Sequence, residues 1–187
     1  MRIEDTNIKG LKIIEPDVFT DSRGSFFEAL NLIKLKQKGI LHRITQENQA
    51  YSYKGVLRGL HYQNPPYEQG KLVRCIMGKI QDVAVDIRKG SPTYGKYFSV
   101  ILSDENNKQL WIPPGFAHGA LTLSDISIMA YFCTKQYSQQ HSVIINYNDD
   151  ILSIEWEIDN IIVSENDKKG MSFITLESKF KYIAEKD

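Results

Sequence analysis

The stretch Ile80-Gln81-Asp82-Val83-Ala84-Val85-Asp86-Ile87-Arg88 decides the fold class. Val83, Val85 and Ile87 fall on one side of an extended chain, and Asp82, Ala84, Asp86 and Arg88 on the other. This is the two-residue period of a strand. Gly78-Lys79 before it and Gly90-Ser91-Pro92 after it supply turn chemistry at both ends. Working outward, extended stretches recur at 11–15, 26–30, 43–52, 71–77, 96–103, 109–112, 119–123, 127–135 and 161–163, with a further break at Pro113-Pro114-Gly115. A helical period occurs twice. Residues 29–38 carry Leu30, Leu32, Ile33 and Leu35, a basic end, and Gly39 as the stop; residues 172–184 space Phe173, Leu176, Phe180 and Ile183 along one face. Many short strands with frequent turns predict an all-β jelly-roll barrel with a few short peripheral helices, as one domain over 1–187. The barrel mouth is the natural ligand pocket, and its unpaired edge strands favour a dimer.

Lys plus Arg and Asp plus Glu both total 23 in the 187 residues, a formal net charge of zero. No field of one sign exists to hold nucleic acid or an anionic membrane. A phosphorylated ligand must therefore be held by locally placed cations. Cys75 and Cys133 have no short spacing and sit in apolar, strand-like contexts, so two reduced, buried thiols are expected. No apolar run follows Arg2, so no signal peptide is expected, and no run of about 18 apolar residues marks a membrane span. A cytoplasmic protein is expected.

Histidines are scarce, with four in the chain: His42, His61, His118 and His141. His42 and His141 lie in polar stretches and read as surface residues without a role. His61 lies in Arg58-Gly59-Leu60-His61-Tyr62-Gln63, just before the turn-rich Asn64-Pro65-Pro66-Tyr67. His118 follows Pro113-Pro114-Gly115 as the chain re-enters a strand. A strand histidine is commonly a satisfied structural residue. The neighbouring cation and tight turns leave structural and catalytic roles equally open here. A metal centre is not expected: Gln63 stands where a second closely spaced histidine would, and two histidines fall short of the three or four ligands a catalytic site needs. A nucleophilic-serine turn and a phosphate-cradling glycine loop are both missing from the sequence. What remains is a set of proton-transfer groups, His61, Lys71, Tyr131 and carboxylates including Asp86 and Asp167. No spacing lifts any of these singly above a structural role.

The chain resembles the dTDP-4-dehydrorhamnose 3,5-epimerases from Phe19 to about Gly170. The resemblance is carried by FTDSRGSFFEA (19–29), QENQ (46–49), GVLRGLHYQNPP (55–66), QGKLVRCIMGKIQDVAVDIRKGSPTYGKY (69–97) and LWIPPGFAHGALTLSD (110–125). It implies a metal-free jelly-roll cupin, a homodimer, a nucleotide-sugar substrate and no cofactor. It implies His61 as general base, Asp167 as the group that orients and charges it, and Tyr131 as the acid on the opposite face. Lys71 and His118 would surround the sugar and its enolate oxygen. Gln46, Asn48, Arg58 and Tyr137 match positions that hold the nucleotide-sugar. Arg23, Phe26 and Glu28 match a segment that reaches the nucleotide of the neighbouring subunit.

The implied chemistry is coherent. A C–H beside a ketone is removable only when the developing enolate is stabilised, and a histidine held by a carboxylate is a base of suitable strength. Inversion then needs a proton from the other side, which a tyrosine hydroxyl can give. This sequence departs from the family pattern at Phe132 (usually basic), at Ala120 (usually Phe), in QQHSVIIN (139–146), which lacks the usual Gly and Arg, and after Trp156, where a Pro is absent. These departures leave three readings: a 3,5-epimerase of dTDP-4-dehydro-6-deoxy-D-glucose, an epimerase of one carbon or another sugar, and a non-catalytic sugar-binding cupin.

Overall fold

A computed structural model describes residues 1–40 and 43–184; the expectation for His42 lies outside the described residues. In chain order the elements are β1 (Arg2–Asp5), β2 (Lys12–Glu15), β3 (Phe19–Asp21), β4 (Gly24–Phe26), α1 (Leu32–Gln37), β5 (Gln46–Tyr53), β6 (Leu57–Gln63) and β7 (Lys71–Met77). They continue with β8 (Lys79–Asp86), β9 (Tyr97–Ser103), β10 (Gln109–Ile112), β11 (Phe116–Thr122), β12 (Ile126–Cys133) and β13 (Ser142–Ile144). A six-stranded sheet runs β1-β2-β10-β7-β12-β5 and a five-stranded sheet runs β13-β6-β11-β8-β9, with β3 and β4 forming a separate hairpin. The chain is all-β, and its two large sheets face one another as the halves of a jelly roll.

The alternation of 80–88 is realised in β8, with a consequence the pattern did not show: both faces are buried. Ile80 and Ala84 pack between the sheets with Val73, Leu102, Leu110 and Met129. Val83, Val85 and Ile87 point outward, into a second core with Leu60, Tyr62, Leu152, Phe173 and Leu176. The chain after β13 covers that outer face. Asp86, read as polar, is fully buried and accepts hydrogen bonds from Arg88 (2.7 Å), Ser91 (2.6 Å) and Thr93 (2.7 Å). Burial pushes its carboxyl up, but these hydrogen bonds outweigh burial and hold it below the usual range. Asp86 therefore fixes the turn after β8 and lies outside the proton-transfer set.

Several boundaries differ from the sequence reading. The expected helix at 172–184 is absent: a single 3-10 turn at Phe173–Thr175 is followed by extended chain. Its backbone bonds go outward instead, Lys89 N–H to Phe180 O (2.9 Å) and Tyr182 N–H to Lys89 O (3.0 Å), while the Ser178 hydroxyl donates to Ile87 O. Phe173, Leu176 and Phe180 are anchors on a sheet face, and the three- and four-residue gaps that suggested a helical stripe are the spans between anchors. The 29–38 helix is shorter, starting at Leu32 because the Asn31 side chain caps Lys34 N–H (3.0 Å). Gly39, at φ +70°, ends it as expected. Residues 27–30 form no strand, and 161–163 contributes one bridge, Val56 to Ile162. Cys75 and Cys133 are buried and unbridged, as expected.

Strand β6, which carries His61, was not recognisable as a strand, because Gly59 interrupts the alternation and most of its residues are buried. Gly59 is there for close approach. A Cβ at this position would stand 2.5 Å from Gly119 Cα and 3.1 Å from His118 O on β11. The contact places His61 directly across from His118 in the antiparallel ladder. Gly59→Ala is expected to destabilise the protein by about 3 kcal/mol or more, because two backbones must separate. Gly90→Ala, at φ +84° with open space around the new Cβ, should cost only about 1–2 kcal/mol of backbone strain. Equal shifts in the urea midpoints of the two variants would contradict this account.

Candidate active site

The two-residue period places the inward-facing side chains of the six-stranded sheet in rows. Register pairs Cys133 with Lys71 and Gln46, and Tyr131 with Val73 and Asn48. In the five-stranded sheet the row is Ile144, His61, His118 and Ala84. Between the sheets lies a cavity of about 750 Å³, in the size range of small-molecule sites. His61, Lys71, Tyr131, Asp167, Gln46, Asn48, Arg58, His118 and Tyr137 all line it, so nine of the expected site residues meet in one place.

His61 Nε2 lies 2.6 Å from Asp167 Oδ1. An ionised carboxylate only accepts, so the proton sits on Nε2, and Nδ1 keeps the lone pair that can take a proton. The exposures divide the work: Asp167 is 7% exposed and His61 37%. Asp167 belongs to no sheet. It stands in the 3-10 turn Asp167–Lys169, with its N–H on Ser164 Oγ (3.1 Å). That segment is tied to the end of β6 through Leu57 N–H to Ile162 O (2.9 Å) and to the end of β13 through Met171 N–H to Ile144 O (3.0 Å).

Lys71 is buried, donates to the His61 carbonyl at 3.3 Å and sits 5.9 Å from the centre of the Tyr131 ring. Burial lowers its pKa, opposed by the charges of Cys133 and Asp82. Burial pushes the Tyr131 hydroxyl up, so it holds its proton, with Arg58 opposing the shift. The Cys133 thiol is likewise raised by burial, and it accepts a contact from Asn48 Nδ2 at 3.7 Å. Arg58 is braced by Ser52 Oγ (3.1 Å) and Tyr51 O (3.3 Å) rather than by a carboxylate, leaving its charge for a ligand.

The sequence reading did not single out Asp82. Its Oδ1 lies 2.7 Å from His118 Nε2, and its Oδ2 is buried with no hydrogen-bond partner. Burial lowers the His118 pKa despite this acid, so the ring is neutral with Nε2 as donor. No local pattern marks Asp82: the polar face of β8 proves interior only in the fold, where a buried carboxylate needs a partner. His141, expected as a bare surface residue, is half-buried, its Nδ1 2.8 Å from Ser138 Oγ and its ring 4.6 Å from Tyr67.

Arg23, Phe26 and Glu28 are not brought to the cavity. Arg23 pairs with Asp21 (2.5 Å) in the β3–β4 hairpin, Phe26 is 74% exposed, and Glu28 pairs with Lys34 (2.7 Å). Among the described residues no three His, Cys, Asp or Glu side chains converge as metal ligands, and no helix is long and apolar enough to cross a membrane.

The sequence pattern of the family described as dTDP-4-dehydrorhamnose 3,5-epimerase matches residues 5–174. A dTDP-4-dehydrorhamnose 3,5-epimerase of Shigella flexneri is 47% identical, over 93% of this chain and 97% of its own. The crystal structure of dTDP-6-deoxy-D-glucose-3,5-epimerase from Legionella pneumophila, in complex with dTDP-4-keto-L-rhamnose, superposes with a TM-score of 0.93 at 43% identity, covering 98% of this chain and 99% of that one. A 3'-monoepimerase from Streptomyces bikiniensis in complex with dTDP-quinovose gives 0.87 at 31% identity, over 91% and 87%. With matches spanning nearly the whole chain, the protein belongs to the dTDP-4-dehydrorhamnose 3,5-epimerase family.

Proposed function

We propose that the protein converts dTDP-4-dehydro-6-deoxy-D-glucose to dTDP-4-dehydro-L-rhamnose by inverting carbons 3 and 5. The observation that carries this is the position of His61 and Tyr131 on opposing sheets of one cavity, with Lys71 between them. His61 Nδ1 takes the proton from the carbon beside the ketone, and the C–H electron pair moves into an enolate whose oxygen bears the charge. The Lys71 ammonium stabilises that oxygen, and Asp167 offsets the charge gained by His61. Tyr131 returns a proton to the opposite face. No electrons are gained or lost overall, so the step needs no redox cofactor. Arg58, Gln46, Asn48 and Tyr137 hold the nucleotide-sugar, while neutral His118, oriented by Asp82, borders the sugar.

We read the protein as a homodimer working in the cytoplasm, where its two thiols stay reduced. The β3–β4 hairpin, with Phe19 and Phe26 exposed and Arg23 away from its own cavity, suits a role in completing the partner's site. The outer face of the edge strand β5 adds exposed Tyr51 and Tyr53. A second reading, inversion of one carbon, draws on the likeness to the 3'-monoepimerase.

In deuterated water, NMR of the product is expected to show deuterium at both carbons 3 and 5; label at carbon 3 alone supports the second reading. His61→Ala should lower kcat by about 10²–10⁴. Tyr131→Phe should keep proton exchange at the ring carbon but lose inversion, and loss of both activities together would contradict the division of labour. Burial takes the Lys71 pKa below its ordinary 10.5, so the ammonium is lost as pH rises through a lower value than for a free lysine. The pH profile of kcat should therefore fall on the alkaline side below pH 10.5, and Lys71→Arg should remove that limb, since guanidinium stays charged. Sedimentation should give twice the 21.5 kDa chain mass, and Arg23→Ala should raise KM with little change in kcat.

A further inference from the structure

The chain between β12 and β13 carries Tyr137 over the cavity, yet residues 135–138 pair with no strand. Their backbone is held instead by three glutamine side chains from three separate segments. Gln69 Nε2 donates to Lys135 O (2.8 Å), and Gln63 Nε2 donates to Gln136 O (3.1 Å). Tyr137 N–H donates to Gln46 Oε1 (2.8 Å), and Ser138 N–H donates to Gln63 Oε1 (2.7 Å). Four consecutive residues are thus each gripped by a primary amide. Gln63 also donates to Tyr67 O (2.7 Å), joining this loop to the turn that follows β6.

The chemistry selects glutamine at Gln63. It must accept from one N–H while giving two hydrogens to carbonyls, which a carboxylate cannot do. Gln63 is 4% exposed, so those three bonds satisfy an amide otherwise stranded at the cavity wall. It lies two residues beyond His61 on β6, and both side chains line the cavity. The Tyr137 ring is 60% exposed, so the gripped backbone, and not ring packing, sets where it stands.

We propose that Gln63 and Gln69 are positioning residues: they fix the 135–138 loop relative to His61 so that Tyr137 closes over the bound nucleotide-sugar. The inference rests on the function proposed above for its ligand, and on geometry alone for the clamp. Two variants test it, Gln63→Glu, which keeps shape but replaces two donors by a repelling carboxylate, and Gln69→Leu, which removes one partly buried bond.

Each variant should raise KM for dTDP-4-dehydro-6-deoxy-D-glucose, about tenfold for Gln63→Glu, with kcat within about threefold of the parent. In a Tyr137→Ala background the same substitutions should change KM less than about twofold, because the residue they act through is gone. Effects that multiply unchanged in that background, or that fall on kcat instead, would overturn the proposal. Amide hydrogen exchange without ligand separates the clamp from the functional reading. Exchange at Tyr137 and Ser138 should accelerate in Gln63→Glu while β6 and β12 keep their protection; unchanged exchange there would also overturn it. If the parent protein fails to turn over the sugar but exchange accelerates as expected, the functional reading fails and the clamp stands.

Discussion

The five-stranded sheet is buried on both faces, and most of the site depends on that constraint. One face meets the six-stranded sheet; the other, built from Leu60, Tyr62, Val83, Val85, Ile87 and Ala117, must also leave water. Each Leu, Val or Ile among these gains about 1.5–3 kcal/mol on burial. The chain after β13 supplies the cover through Ile145, Leu152, Phe173 and Leu176. Buried Asp149 sets its position by accepting from Phe173 N–H (2.8 Å) and Ser172 Oγ (2.7 Å). In crossing the sheet, that chain carries Asp167 round the edge of β6 to His61. The carboxylate that bonds to His61 thus arrives as a consequence of core burial.

The same double burial limits what the sequence reveals. β8 was legible because its apolar and polar residues alternate, even though its polar side turned out to be interior. β6 has Leu57, Gly59, Leu60, Tyr62 and Gln63 all buried, so no alternation survives to mark it. The terminal segment failed for the opposite reason: three apolar anchors at intervals of three and four imitate a helix, whereas the segment's bonding partners lie far away in sequence at Ile87 and Lys89. Register determines the site more than composition does. Gln46, Cys133 and Lys71 form one row only because β5, β12 and β7 are neighbours, and no local pattern encodes that order. The nine candidate residues that line the cavity were named through the resemblance to a family. Asp82 escaped because its meaning lies in a partner 36 residues away.

Zero net charge places the electrostatic work on individual groups. Lys71 is a buried amine whose direct contact is a backbone carbonyl, with the Asp82 carboxylate acting on it as a neighbouring charge. An ammonium in that setting is poorly solvated and gains most from a negative oxygen placed beside it, which is the condition for favouring an enolate over a ketone. Burial works the other way on Tyr131, keeping the hydroxyl protonated and able to donate. One low-dielectric cavity thus weakens the hold of Lys71 on its proton and strengthens that of Tyr131.

The proposed inversion matches the two-layer architecture. Inversion at a carbon requires proton removal and return on opposite faces of a ring, so the two groups cannot come from neighbouring positions on one strand. His61 belongs to the five-stranded sheet and Tyr131 to the six-stranded sheet. In the proposed reaction a sugar ring held between the sheets presents one face to each. A single sheet would offer both groups from the same side and could exchange a proton without inverting the centre. The packing that makes the core also makes the two-sided geometry.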